Sequence, residues 1–386
     1  MPDATLLPVD ERVLTERLMT YDTSSVEGLR AAAGFVKGWL DARDIEVQDH
    51  PFGDLHVLTA EVGPADAPTV LFHGHLDVVP GRPEQFSPRV DGDRLIGRGS
   101  YDMKGGLAAM MCAVHDLAGQ DEVRVRLLCV PDEESEDIER RTSDDLVRRG
   151  FIGDFAITGE PTDLHVGVQA KGVLACKIHV HGRAAHSSTP WLGDNAVLKA
   201  IDVFRRIESL PFSRESSEMF DRPSINLGRI AGGDAVNKVP DECVMHVDIR
   251  YLPEQDPDEL LSQIRTIDDM EIRRTFVFPP AYVSRSNPYV RALCDVVRAT
   301  GRSESVSVGR DGASDAVSFL KAGVPAVEFG PEGAGHHGPE EWVSISSLAS
   351  YRSMLVEFAR RMGRAGASGA AATPRLEAVD GSQEAA

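Results

Sequence analysis

The chain has 386 residues, 42% of them hydrophobic and 26% charged, which suits a globular protein and is long enough for two domains with separate cores. Lys and Arg number 41 against 61 Asp and Glu, a formal charge of −20, so nothing basic is at hand to displace nucleic-acid counterions or to dock on an anionic membrane. The five cysteines (Cys112, Cys129, Cys176, Cys243 and Cys294) are scattered without a CxxC pair and read as reduced core thiols, and with no signal peptide or membrane-length apolar run the expected location is cytoplasmic.

Two amphipathic helices are predicted first, over residues 10–21 and 25–43; in the second, Leu29, Ala33, Val36 and Leu40 recur at helical spacing. Short apolar runs follow that end abruptly in Gly, Pro or acidic residues. Residues 69–72 lead into His73-Gly74-His75, 125–130 into Pro131-Asp132-Glu133-Glu134, 155–158 into Gly159-Glu160, and 324–329 into the loop before His337. A helix over residues 103–117 lies between the first two. Strands alternating with helices predict an α/β core, in which ligands collect beyond the carboxyl ends of the strands. The middle of the chain differs. Strands are expected at 173–180, 224–231, 243–252 and 270–278, with helices at 195–210 and 257–264. Cys243, Met245, Val247, Ile249 and Tyr251 alternate with His246, Asp248 and Arg250. This β-α-β-β-α-β order predicts a ferredoxin-like domain inserted into the α/β domain. The expected division is 1–173 and 284–363 for the catalytic domain, 174–283 for the insert, and 364–386 for a disordered tail of small residues.

Five side chains fall where strands are expected to end: His75, Asp102, Glu134, Glu160 and His337. Two imidazoles and three carboxylates without a thiolate suit two divalent cations with open coordination positions, unlike a closed structural zinc site. Zinc is the default; cobalt and manganese accept the same ligands. Asp77 is placed to take the second N–H of His75. His73 reads as a packing residue. Asp102 alone would read as a helix N-cap; beside the other motifs it reads as a carboxylate bridging two cations. Of the adjacent Glu133 and Glu134, Glu134 reads as ligand and Glu133 as general base. Glu136 and Asp137 read as a solvated acidic loop, and His115, His165, His179, His181 and His246 as structural.

The segments HGHLDVVP, GRGSYDMKGG, PDEES, TGEPT, GRAAHSSTP, AGGDAVNKVPD and GHHGPEE, in that order, resemble a family of co-catalytic metallohydrolases. It includes acetylornithine deacetylase, succinyl-diaminopimelate desuccinylase, the aminoacylases and glutamate-releasing carboxypeptidases. The resemblance implies a mixed-sheet zinc-hydrolase domain carrying a dimerisation or lid domain. It also implies one cation on His75, Asp102 and Glu160 and another on Asp102, Glu134 and His337, the last chosen over His336 by its spacing to Glu341. Glu133 is then the base and Asp77 the partner of His75. His186, by itself a surface histidine in a small-residue loop, is implied to reach the partner's active site in a homodimer formed through the insert and to polarise the scissile carbonyl. Asn237 and Arg250 are implied as substrate-carboxylate contacts, the planar Arg fork suiting two parallel hydrogen bonds. Ser314, in the turn 312–315, is a further substrate contact or a helix cap.

The function expected is removal of an N-acyl group from an amino-acid-like substrate. A carboxypeptidase or dipeptidase with the same centre is the alternative, and a non-catalytic binder of metabolites or a protein partner the remote one.

Overall fold

The computed structural model describes residues 7–134, 141–301 and 307–367. Glu136, Asp137 and the residues after Ala367 lie outside them. The chain divides into two compact units, Met1–Val166 with Val283–Ser307 and Ser318–Ala386, and Gly167–Tyr282 with Val308–Val317.

The first unit is built on a mixed sheet. Its strands run in the order Val47–Phe52, Leu55–Val62, Arg124–Val130, Thr69–His75, Phe155–Thr158, Ala326–Glu328. The Thr69–His75 strand is buried along its whole length, which is why it reads as an unbroken apolar run. It pairs in parallel with Arg124–Val130 on one side and Phe155–Thr158 on the other, and the latter pairs in parallel with Ala326–Glu328. Register then aligns the carboxyl ends. His75 lies opposite Val130 and His73 opposite Thr158, so Glu133, Glu134 and Glu160 emerge at the same edge as His75. The hairpin Val47–Phe52/Leu55–Val62 closes one side antiparallel; it was not expected, because Gln48, Asp49, His50 and Pro51 break the apolar pattern.

The predicted helices form with tightened ends. Ser25 caps Val26–Asp41 by accepting from Gly28 N, and Asp10 caps Glu11–Met19 by accepting from Val13 N. Helix Ile345–Ala367, absent from the sequence-based prediction, packs on helix Gly105–Asp116 and runs past the expected start of the tail. Its Arg352 grips both oxygens of Asp116 at 2.7 Å and Glu11 at 2.8 Å, tying three helices together. A small sheet pairs Gly333–Ala334 with Trp342–Ser344, and the latter with Arg94–Ile96, so residues 335–341 form a hairpin loop. All five cysteines are buried free thiols. Among the described residues, no helix is long and apolar enough to cross a membrane.

In the second unit the element order is strand, helix, strand, strand, helix, strand: Gly172–His181, Ala196–Ile207, Ser224–Gly232, Glu242–Tyr251, Pro257–Ile264 and Met270–Phe278. The antiparallel sheet has the order Ser224–Gly232, Glu242–Tyr251, Gly172–His181, Met270–Phe278. Cys243, Met245, Val247, Ile249 and Tyr251 are buried and His246 is exposed, as their alternation predicts. On helix Ala196–Ile207 the residues buried in the core are Ala196, Ala200, Val203 and Ile207. Leu198 and Ile201 point outward, 60% and 42% exposed.

Candidate metal centre

The centre is assembled at the carboxyl edge of the parallel strands. His75 ends the central strand and is fully buried. Its Nδ1–H donates to the Asp77 carbonyl at 3.0 Å, which leaves Nε2 with its lone pair toward the cluster. The anchor is thus the main chain of Asp77. The Asp77 carboxylate is 3.5 Å from Nδ1 on one oxygen, and its other oxygen accepts from Glu134 N at 2.7 Å. One residue orients both a histidine and a glutamate of the cluster.

Asp102 does not cap the following helix. It sits in a turn, Ser100–Lys104, with a cis bond to Met103, and Lys104 precedes helix Gly105–Asp116 without a side-chain cap. Its Oδ1 lies 3.2 Å from His75 Nε2, and its Oδ2 lies 3.3 Å from His337 Nε2. Close packing brings this turn up to the strand ends. A Cβ at Gly106 would stand 2.5 Å from the Gly159 carbonyl, and one at Gly105 would stand 2.4 Å from the Ser100 carbonyl, so only glycine fits at either position. Glu160 Oε1 is 3.5 Å from His75 Nε2, and Glu134 Oε1 is 2.9 Å from His337 Nε2. Two groups result, His75 with Asp102 and Glu160, and Asp102 with Glu134 and His337, each with one ligand atom per residue within 4.8 Å of the others. Asp102 belongs to both.

The donor chemistry fits divalent cations. His75 Nε2 and Glu160 Oε1 are buried with no hydrogen-bond partner, a costly arrangement that a cation would satisfy. Burial, reinforced by the charges of Asp102 and Glu133, raises the Glu160 carboxyl well above the usual range. Burial would push Asp102 up as well, but the imidazoles of His337 and His75 beside it hold it far below an ordinary carboxylate. Hydrogen bonds from His337 to Asp102 and Glu134 push its imidazole up to about 10. Carboxylates and imidazoles crowded this closely, with buried donor atoms left unsatisfied, suit a cation site.

The remaining candidates are placed as follows. Glu133 stands beside Glu134 and pairs with the buried Arg141, Nη1 to Oε1 3.3 Å. His73 bonds Ser143 Oγ at 2.8 Å and sets its ring edge-on to Phe319, a packing role. His336 leans on Tyr101 and is in neither ligand group. His186, Asn237, Arg250 and Ser314 belong to the second unit. His186 is exposed and its Nδ1 meets Ser188 Oγ at 2.8 Å. Asn237 is exposed; Arg250 is engaged by Asp248 at 2.8 Å. Ser314 is buried, and its Oγ accepts from Ala316 N at the start of helix Ala316–Lys321, the cap arrangement. Sequence reasoning passed over Arg98 and Arg141 and used Glu341 only as a spacing mark. Arg98 and Glu341 sit within the motifs GRGSYDMKGG and GHHGPEE, whereas Arg141 lies beyond PDEES, and nothing in the sequence marks any of the three as buried.

Residues 71–361 match the family described as Peptidase family M20/M25/M40. A succinyl-diaminopimelate desuccinylase of Gluconobacter oxydans (strain 621H) is 29% identical over 353 residues, covering 85% of this chain and 91% of that protein. A probable carboxypeptidase of Aspergillus terreus (strain NIH 2624 / FGSC A1156) is 34% identical over 263 residues, covering 63% of this chain and 60% of the other. Among solved structures, an M20 family metallo-carboxypeptidase of Sulfolobus solfataricus shares the fold with a TM-score of 0.73 at 18% identity, covering 92% of this chain and 99% of that one. The chain therefore belongs to peptidase family M20/M25/M40, as a hydrolase of amide bonds in a family whose chemistry calls for divalent metal ions.

Proposed function

We propose that the protein removes an acyl group from the nitrogen of an amino-acid-like substrate, using two divalent cations, zinc by default. One observation carries the reading: two ligand groups share Asp102, with a second glutamate, Glu133, next to the ligand Glu134. Two such cations supply Lewis acidity toward a water and toward the amide carbonyl. His75, Asp102 and Glu160 hold one, and Asp102, Glu134 and His337 the other. Glu133 takes the proton of the attacking water on its carboxylate and returns it to the leaving nitrogen. Arg141 keeps the Glu133 carboxylate oriented. Asn237 and Arg250 receive the substrate carboxylate, while Ser314 serves its helix as a cap.

The desuccinylase relative, which spans most of both chains, supports the deacylase reading. The more similar but shorter match to a probable carboxypeptidase supports a second one, cleavage of a short peptide at the same centre. A panel of N-acetyl and N-succinyl amino acids against dipeptides, run on protein reconstituted with Zn²⁺, Co²⁺ or Mn²⁺, decides between them. Turnover of acyl amino acids at least tenfold above dipeptides is expected. The reverse order would replace the first reading by the second, and no turnover of either class would remove both.

The protein acts as a homodimer through its second unit, with His186 serving the partner's centre. Exposed Leu198 and Ile201 on helix Ala196–Ile207, together with Ile230 on the edge strand Ser224–Gly232, support a self-associating face. Co-expressed His186→Ala and Glu133→Ala chains should regain about a quarter of the wild-type rate, because statistical pairing makes half the dimers mixed and each has one intact site. An active monomer, or a mixture as dead as its parents, would remove the trans role.

A further inference from the structure

Arg98 and Glu341 form an ion pair with both side chains sealed from solvent, Nη1 to Oε2 2.6 Å. They stand 243 residues apart in the chain, and each has a second engagement that leads to the metal centre. Glu341 Oε1 accepts from the backbone N–H groups of Tyr101 and Asp102, both at 3.1 Å. Arg98 Nη2 donates to the His337 carbonyl at 3.1 Å. That carbonyl belongs to a residue in left-handed backbone, φ 62°, a conformation a non-glycine residue keeps only when its surroundings enforce it. The loop is held from a second direction, since Gln85 Nε2 donates to the Gly338 carbonyl at 3.2 Å and Gln85 in turn accepts Arg98 N at 2.8 Å.

Stability is a poor account of this pair. Taking two charges out of water costs about what their attraction returns, and an apolar pair of like volume often does as well or better. What an apolar pair cannot do is bond the Asp102 amide and the His337 carbonyl at the same time.

We propose that Arg98 and Glu341 are positioning residues that fix the spacing between Asp102 and His337, Arg98 for the Asp102/Glu134/His337 ion alone and Glu341 for both ions. The proposal rests on the two-ion reading of the centre. The division of labour follows from the contacts: the Glu341 carboxylate holds the backbone of the ligand common to both groups, whereas Arg98 holds the backbone of a ligand found in only one. Arg is required because its planar fork places two nitrogens at once, one on Glu341 and one on the loop.

The test is metal binding by the full chain, stripped with a chelator and titrated with Zn²⁺ or Co²⁺ against a chromophoric competitor. Arg98→Lys keeps the charge opposite Glu341 and delivers one nitrogen in place of two. It should bind one ion with the wild-type constant and the other about 10- to 100-fold more weakly, the usual cost of losing such a supporting contact. Glu341→Asp, an independent arm that keeps both charges, withdraws the carboxylate from the Asp102 amide and should weaken both ions. Activity of Arg98→Lys should climb back as free metal is raised. Wild-type constants for both ions in both variants would overturn the proposal, and equal weakening of both ions in Arg98→Lys would overturn the assignment of Arg98 to one position. A wild-type chain that itself binds fewer than two ions would instead sink the two-ion reading.

Discussion

Replacing Glu133 with Gln should cut kcat by about 10²- to 10⁴-fold, the range spanned by positioned proton-transfer groups, while metal content stays at the wild-type level. The two glutamates at this strand end separate by environment. Glu134 Oε1 faces His337 Nε2 at 2.9 Å and its backbone N–H is pinned by Asp77, so it is set as a ligand. Glu133 faces Arg141 and is close enough to the cluster to raise the Glu160 carboxyl by repulsion. Glutamine preserves the shape beside Arg141 and removes the negative charge, and with it the capacity to accept a proton. Rates measured with the best substrate of the panel, alongside metal analysis, give the answer. Activity within a few-fold of wild type would strip Glu133 of its role. A loss of activity matched by a loss of bound metal would show that it had been a ligand.

Asp102→Asn is the other substitution with a large effect, and it acts on binding rather than on the proton. Both oxygens of Asp102 are committed, one toward His75 and one toward His337, and asparagine offers one neutral oxygen in their place. Both ions should be lost together. A cation at about a hundredfold excess over its Kd stabilises the fold it binds by about 2.7 kcal/mol. The wild-type Tm should therefore rise on adding metal, and that rise should vanish in Asp102→Asn. His337→Ala is the contrast, because it touches one group only and should leave one ion's worth of stabilisation. If Asp102→Asn still takes up an ion with undiminished affinity, the shared carboxylate is not what joins the two groups.

Much of the fold and of the site is legible in the sequence. The apolar runs that stop at His75, Val130 and Thr158 are parallel strands buried on both faces, and such strands announce themselves by continuous hydrophobicity. The alternation in Glu242–Tyr251 was equally plain, since one of its faces is buried. Less plain was the partner of His75. Spacing pointed to the Asp77 side chain, but the Glu134 amide has claimed one of its oxygens and the carbonyl does the anchoring. On helix Ala196–Ile207 small Ala196 and Ala200 join Val203 and Ile207 in the core while the large Ile201 faces outward, a division that hydrophobicity alone does not foretell. The Arg98–Glu341 pair was invisible, because a charge in a sequence carries no mark of its burial or of a partner 243 residues away.

The interleaving of parallel strands has a consequence for biosynthesis. His75 ends the strand Thr69–His75, Glu160 follows its neighbour Phe155–Thr158 and Asp102 lies in a turn between them in sequence, all within the first 160 residues, while His337 follows the last parallel strand, Ala326–Glu328. A chain leaving the ribosome from its amino end thus carries every donor of one ligand group long before the final donor of the other exists. Because Glu341, which holds the Asp102 amide, belongs to that same late segment, neither group gains its full geometry until the hairpin closes over the edge.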